Sequence, residues 1–133
     1  DGSGTGKVDV DDFSNILCSM TGGISASFQI SRFAYGRGNY QRMEIYCEHG
    51  GLVYHLDRIP GVDELALADA STGGVYVDQE IPEKYHVSQM QSFADLLLDR
   101  GDGQSAGIRD GDSNAHVLDA IMLSARTESW VRL

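Results

Sequence analysis

The chain has 133 residues, with 10 Lys and Arg against 20 Asp and Glu, so its net charge is −10 with histidine neutral, and 41% of its residues are hydrophobic. A chain of this length buries roughly two-thirds of its unfolded surface, which supports one core but not two independent lobes, so a complete two-domain enzyme is not expected within it. The surplus of carboxylates repels phosphate backbones, and no run approaches the ~20 apolar residues of a membrane span, so neither nucleic acid nor a bilayer is an expected partner.

In chain order, residues 1–7 read as a flexible leading loop, because DGSGTG carries three glycines and no apolar side chain. It also lacks the basic and apolar regions of a signal peptide. From Ile24 the residues I-S-A-S-F-Q-I-S alternate, with Ile24, Ala26, Phe28 and Ile30 on one face and polar residues on the other, which predicts a strand. Thr21-Gly22-Gly23 supplies a hairpin turn before it and makes residues 13–20 the partner strand, although Phe13, Ile16, Leu17 and Met20 also fit helical spacing. After Gly36-Arg37-Gly38-Asn39, alternation resumes over residues 42–47. His49-Gly50-Gly51 predicts a second turn into Leu52–Leu56, and residues 64–69 and 75–78 add two short strands.

Beyond Pro82 the period changes. His86, Met90, Phe93, Ala94, Leu97 and Leu98 recur at three- and four-residue steps up to Arg100-Gly101, predicting an amphipathic helix closed by glycine. Asp110-Gly111-Asp112 marks the start of a second, through Ala115, Leu118, Ile121, Met122 and Ala125, and Trp130–Leu133 reads as a terminal strand. Strands first and helices after predict an α+β fold: an open-faced, mostly antiparallel sheet with helices packed on one face, over a single domain spanning residues 8–133.

Several motifs imitate known sites. Residues 1–12, DGSGTGKVDVDD, place oxygen-bearing residues at positions 1, 3, 5, 9 and 12 and glycine at 6, the pattern of an EF-hand calcium loop. Against it, no helix leads into Asp1, the twelfth residue is Asp rather than the longer Glu, and no second loop pairs with it; a flexible acidic loop is the favoured reading. Gly6-Lys7 fails the phosphate-loop spacing, and no G-x-G-x-x-G occurs. The four histidines show no metal-ligand spacing. A zinc held by Cys47, Glu48, His49 and His55 across a hairpin is less favoured than solvated turn residues. Cys18 and Cys47 read as structural, buried thiols in a reducing cytosol. Arg32, Arg37 and Asn39, at and beyond the end of the best strand, offer planar donors to hydroxyl- or carboxylate-rich ligands. Tyr85 and His86 precede a helix N-terminus that attracts oxygen ligands. For both groups an ordinary structural role is the competing reading.

Three segments together resemble the C-terminal domain of the Gfo/Idh/MocA family of NAD(P)-dependent oxidoreductases. The first joins Val10-Asp11-Asp12, Gly22-Gly23-Ile24 and Ser31-Arg32-Phe33-Ala34-Tyr35-Gly36. The second is Glu44-Ile45-Tyr46-Cys47-Glu48-His49-Gly50-Gly51-Leu52-Val53, in which Cys47 stands where the family often has glycine. The third runs from Ser92-Phe93-Ala94-Asp95 through Ile108-Arg109-Asp110-Gly111 and Val117-Leu118-Asp119-Ala120-Ile121 to Trp130-Val131.

The resemblance implies a substrate-binding and oligomerisation domain of a cytoplasmic dehydrogenase acting on a sugar, polyol or similar hydroxyl compound. NAD or NADP would be held by a separate N-terminal Rossmann domain, and the sheet face would form a homo-oligomer contact. The lysine and histidine motifs that the family uses for proton handling are not in this sequence, so no catalytic or cofactor-binding residue is assigned and the chain alone is expected to be inactive. Arg32, Arg37, Tyr85 and His86 are the expected substrate-side contacts. The rival readings are a calcium module using residues 1–12 and a non-catalytic interaction domain.

Overall fold

The computed structural model describes residues 6, 7, 9–59, 61–101, 103 and 105–133. The calcium-loop reading of residues 1–12 and the leading loop 1–7 fall largely on residues outside that set. The fold is α+β, with antiparallel strands in the first part of the chain and helices in the second. Two compact units divide it, residues 1–80 and residues 81–133.

Among its described residues the first unit holds six strands: β1 (Phe13–Ser19), β2 (Ser25–Ser31), β3 (Gln41–Cys47), β4 (Gly50–Ile59), β5 (Val62–Asp69) and β6 (Val77–Gln79). The meander expected as one sheet is two. β1 and β2 pair as a hairpin, and β3-β4-β5-β6 form a four-stranded sheet in sequence order. The link from Arg32 to Tyr40, bent at Gly36 (φ 76°), does not place β2 beside β3.

In the β1–β2 hairpin Ile16 faces Phe28 and Cys18 faces Ala26, which resolves the strand-or-helix ambiguity of residues 13–20 in favour of the strand. The turn is as expected: Gly22 and Gly23 take φ of 82° and 78°, and the Met20 N–H donates to the Ile24 carbonyl at 2.8 Å. The β3–β4 turn differs from expectation. Its two turn residues are Glu48 and His49, while Gly50 and Gly51 lie inside β4 without positive φ.

The second unit holds a single 3-10 turn over Glu83–Tyr85, then α1 (Gln89–Leu97) and α2 (Ile108–Thr127). α1 starts three residues later than the His86 spacing implied, because Ser88 caps it, its Oγ accepting the Gln91 N–H at 3.1 Å. It ends at Leu97, with Leu98 as its C-cap and Asp99 at φ 55° just beyond, rather than at Gly101. α2 starts before its marker: the Asp110 carboxylate reaches back to accept the Gly107 N–H at 2.7 Å, so the acid sits in the first turn and not ahead of it.

Trp130–Leu133 is not a strand. Glu128 (φ 51°) stops α2, the Ser124 hydroxyl donates to the Ser129 carbonyl at 2.7 Å, and the last residues have no strand neighbour among the described residues. Apolar composition makes a strand only where a ladder partner accepts its backbone bonds. Among the described residues no helix is long and apolar enough to cross a membrane.

Candidate functional site

Strand alternation divides the four-stranded sheet into unlike faces. On one, Met43, Ile45, Leu52, Tyr54, Leu65, Leu67 and Val77 meet across the registers. On the other, Arg42 faces His55, Glu44 faces Val53, Tyr46 faces Gly51, His55 faces Glu64 and Gly51 faces Ala68. The second face therefore carries charge at one end and a floor of small residues at the other. Ala68, on that floor, is the one apolar residue buried below a tenth of its surface among those described.

At the charged end, β4 and β5 assemble a connected group. Glu64 accepts from Arg58 through both oxygens, at 2.7 Å from Nε and 2.9 Å from a terminal nitrogen. This side-on fork fixes the carboxylate plane. The same carboxylate stands 3.3 Å from Nδ1 of His55, whose side chain is 17% exposed, and Nε2 of His55 is buried without a partner among the described residues. With the proton on Nδ1, the pair is a carboxylate–imidazole dyad.

The Tyr40 and His55 rings meet in an edge-to-face arrangement with centroids 6.0 Å apart, and the Arg37 guanidinium lies 4.5 Å over the Tyr40 ring. Beside it Asn39 donates to Asp57 at 3.3 Å, and Asp57, held at φ 53° in the irregular stretch of β4, accepts the Gly61 N–H at 3.2 Å. The loop before β3 is thus tied to β4 at two successive residues.

At the other end an open groove of about 420 Å³ is lined by Tyr46, Cys47, His49, Gly50, Gly51, Ala68, Asp69, Ala70, Gly74 and Tyr76. Its glycines serve close approach. A Cβ on Gly50 would lie 2.5 Å from the Ala68 carbonyl oxygen, and one on Gly51 would lie 2.6 Å from the Tyr76 hydroxyl. Tyr46, though exposed, donates to Glu44, which also pairs with Arg42, and that hydrogen bond, with some loss of hydration and the carboxylate charge, raises the Tyr46 pKa above 10.0. On the apolar face the Tyr54 pKa is raised as well, first by burial and then by its 2.9 Å hydrogen bond to Asp63. Asp69 closes the turn after β5, accepting from the Ser71 hydroxyl and from the Ser71 and Thr72 N–H groups, which lowers its pKa below 3.8.

Of the expected contacts, Arg32 follows β2 and its N–H donates to the Asp12 carbonyl at 2.8 Å. Arg37 is the one drawn into the polar group. Tyr85 and His86 belong to the second unit. Lys84 Nζ lies 4.8 Å over the Tyr85 ring, and His86 Nε2 is 3.2 Å from the Ile81 carbonyl, so His86 is engaged by the turn that precedes α1.

The zinc reading fails on register. Cys47 pairs with Gly50, whereas His55 pairs with Arg42, five residues along β4 and so roughly 16 Å away at ~3.3 Å per residue. No group of three or more His, Cys, Asp or Glu among the described residues is placed to hold a metal ion. Both cysteines are free; Cys18 is half-buried and Cys47 exposed, so only the first approaches the buried role expected of it. Tyr40, Arg58 and Glu64 were not singled out from the sequence, since only the β4–β5 register, with Glu64 opposite His55, brings them together.

No family model matches the chain, and no solved structure matches it. Among curated proteins, the levoglucosan dehydrogenase of Pseudarthrobacter phenanthrenivorans is 30% identical over 147 aligned residues, covering 95% of this chain and 37% of that protein. That protein is a Gfo/Idh/MocA-family oxidoreductase, so the similarity to this family runs along nearly the whole chain, which is a dehydrogenase-related region. It spans little more than a third of the length of the curated relative it matches.

Proposed function

We propose that residues 8–133 are the C-terminal domain of an NAD(P)-dependent dehydrogenase that oxidises a hydroxyl-bearing carbon of a sugar, polyol or similar compound, and that this domain contributes substrate recognition and a homo-oligomer contact through its sheet. The observation that carries the reading is the match to a levoglucosan dehydrogenase along nearly the whole chain but little more than a third of that protein. In this reading the remainder of the longer protein supplies a Rossmann domain and, with it, the cofactor site, and the protein works in the cytoplasm.

The described residues do not form a Rossmann-type seat for a dinucleotide. Every strand pairing among the described residues is antiparallel, so they form no βαβ crossover whose glycine-rich first turn could seat a pyrophosphate on a helix N-terminus. No chemical step through NAD(P) is assigned to this chain. Its own residues do something narrower: Arg37 presents planar donors suited to hydroxyl oxygens, and Arg32, Tyr85 and His86 remain the proposed additional contacts.

The test is activity with and without the rest of the protein. The longer protein should reduce NAD or NADP with a sugar or polyol panel that includes levoglucosan, whereas the 133-residue chain should show neither turnover nor calorimetric binding of either nucleotide. Micromolar nucleotide binding by the chain, or a longer protein lacking a βαβ unit with a glycine-rich first turn, would overturn the reading.

A further inference from the structure

The Arg37 guanidinium is not a free surface charge. It rests on the Tyr40 ring at 4.5 Å; that ring and His55 meet in an edge-to-face arrangement with centroids 6.0 Å apart; His55 is 3.3 Å from Glu64; and Glu64 is locked by two contacts from Arg58. Each link has a stated physical cause, and each constrains the next. The fork from Arg58 sets the carboxylate plane, the carboxylate sets the imidazole rotation, the imidazole sets the tilt of the tyrosine ring, and the ring's negative face sets where the cation stands. A side-chain hydrogen bond adds a second tether one residue before Tyr40, the Asn39 amide donating to the Asp57 carboxylate.

The same group explains an otherwise costly feature. Nε2 of His55 is buried without a partner among the described residues, which ordinarily costs stability. A histidine kept there at that cost fits a part that orients its neighbours better than one selected for packing alone.

We propose that Glu64 is a positioning residue which, through His55 and Tyr40, sets the place of the Arg37 guanidinium, so that Arg37 meets a hydroxyl- or carboxylate-bearing ligand as a pre-oriented planar donor. The ligand half of this rests on the dehydrogenase reading above; the positioning half does not. Pre-orientation matters because an unrestrained arginine loses rotamer freedom on binding, ~0.5–1.5 kcal/mol for a side chain of this kind, and holding it beforehand removes that cost.

Two measurements on the longer protein that carries this chain separate the halves. The first is arginine side-chain NMR with 15N-labelled arginine, the Arg37 Nε–H signal assigned by its loss in Arg37→Lys. In the native protein the Tyr40 ring current should move this signal away from the bulk arginine position. Tyr40→Leu, His55→Leu and Glu64→Gln should return it toward bulk, and Tyr40→Phe, which keeps the ring and drops only the hydroxyl, should preserve it. An Arg37 signal unmoved by Glu64→Gln and His55→Leu in folded variants overturns the positioning role, whatever the protein's activity.

The second measurement is kinetic, with the best sugar or polyol substrate of the longer protein. Arg37→Ala, Glu64→Gln and Tyr40→Leu should each raise KM about three- to tenfold with kcat within about twofold, the range expected when such a restraint is lost. Tyr40→Phe should match the native KM, and Glu64→Gln should add nothing to Arg37→Ala. A Glu64→Gln effect undiminished in the Arg37→Ala background, or a fall in melting temperature with no change in KM, overturns the proposal. A longer protein with no dehydrogenase activity refutes the dehydrogenase reading, and the NMR result then decides the positioning role by itself.

Discussion

Adjacent glycines at the start of β4 give a sharp contrast between two single-methyl additions. At Gly50 the new Cβ would stand 2.5 Å from the Ala68 carbonyl oxygen, a backbone atom of β5, and 3.3 Å from the Asp69 Cβ. Neither neighbour can rotate away, so β5 must retreat by about half an ångström along the ladder, and overpacking of this kind costs ~1–3 kcal/mol. Replacing glycine in a strand returns roughly 0.5–1 kcal/mol. Gly50→Ala should therefore destabilise by about 0.5–2 kcal/mol, or ~2–8 °C in melting temperature for a domain of this size.

At Gly51 the neighbour 2.6 Å from the new Cβ is the Tyr76 hydroxyl, the far end of a half-exposed side chain. Swinging it aside costs ~0.5–1.5 kcal/mol, which the strand gain nearly cancels, so Gly51→Ala should be close to neutral. Tyr76→Phe removes the clashing atom, leaving the ring carbon at 3.5 Å. On that background Gly51→Ala should stabilise by roughly 0.5–1 kcal/mol. Urea denaturation of the native protein, Gly51→Ala, Tyr76→Phe, their double variant and Gly50→Ala reads all of this. A neutral Gly50→Ala, or a Gly51→Ala penalty that survives Tyr76→Phe, refutes the close-approach account of these glycines.

Further outcomes follow from the same geometry. The Asp69 pKa is lowered in the folded state, so the turn's contribution to stability is present above the unfolded value of 3.8 and is lost as pH falls through the lower folded value. Asp69→Asn should weaken the protein at neutral pH and flatten its acid unfolding, as read by urea midpoints between neutral pH and pH ~2. Tyr46 and Tyr54 are raised above 10.0, so their neutral forms favour the folded state below pH 10 and that contribution is lost as pH climbs through the folded values. Absorbance titration of tyrosinate, with Tyr46→Phe and Tyr54→Phe assigning the signals, should find these two ionising above 10.0, and Glu44→Gln should bring only Tyr46 back. Ser88→Ala removes the α1 cap and should cost ~0.5–2 kcal/mol, visible as early exchange of the Gln91 amide.

The identity of the elements was legible in the order of residues because each signal was local. Alternation from Ile24 to Ser31, glycines at 22 and 23 with positive φ, and three- and four-residue spacing beyond Pro82 each depend on backbone geometry within a few residues. The family resemblance was equally available, because its motifs are contiguous stretches. Element ends were less so: the sequence pointed to Gly50-Gly51 as turn residues because glycine permits a turn, whereas here it permits a carbonyl and a hydroxyl to approach. Trp130–Leu133 has strand composition and no ladder.

What only the tertiary structure decided is which side chains meet. Arg37, Tyr40, His55, Arg58 and Glu64 are spread over 28 residues, and nothing in their spacing groups them. The antiparallel registers of β3, β4 and β5 do so, by setting His55 opposite both Arg42 and Glu64 and by starting β3 immediately after Tyr40. Local chemistry chooses strand or helix, because backbone torsions answer to near neighbours. Register sums many weak cross-strand contacts, and a slip of one residue would send Glu64 to the apolar face.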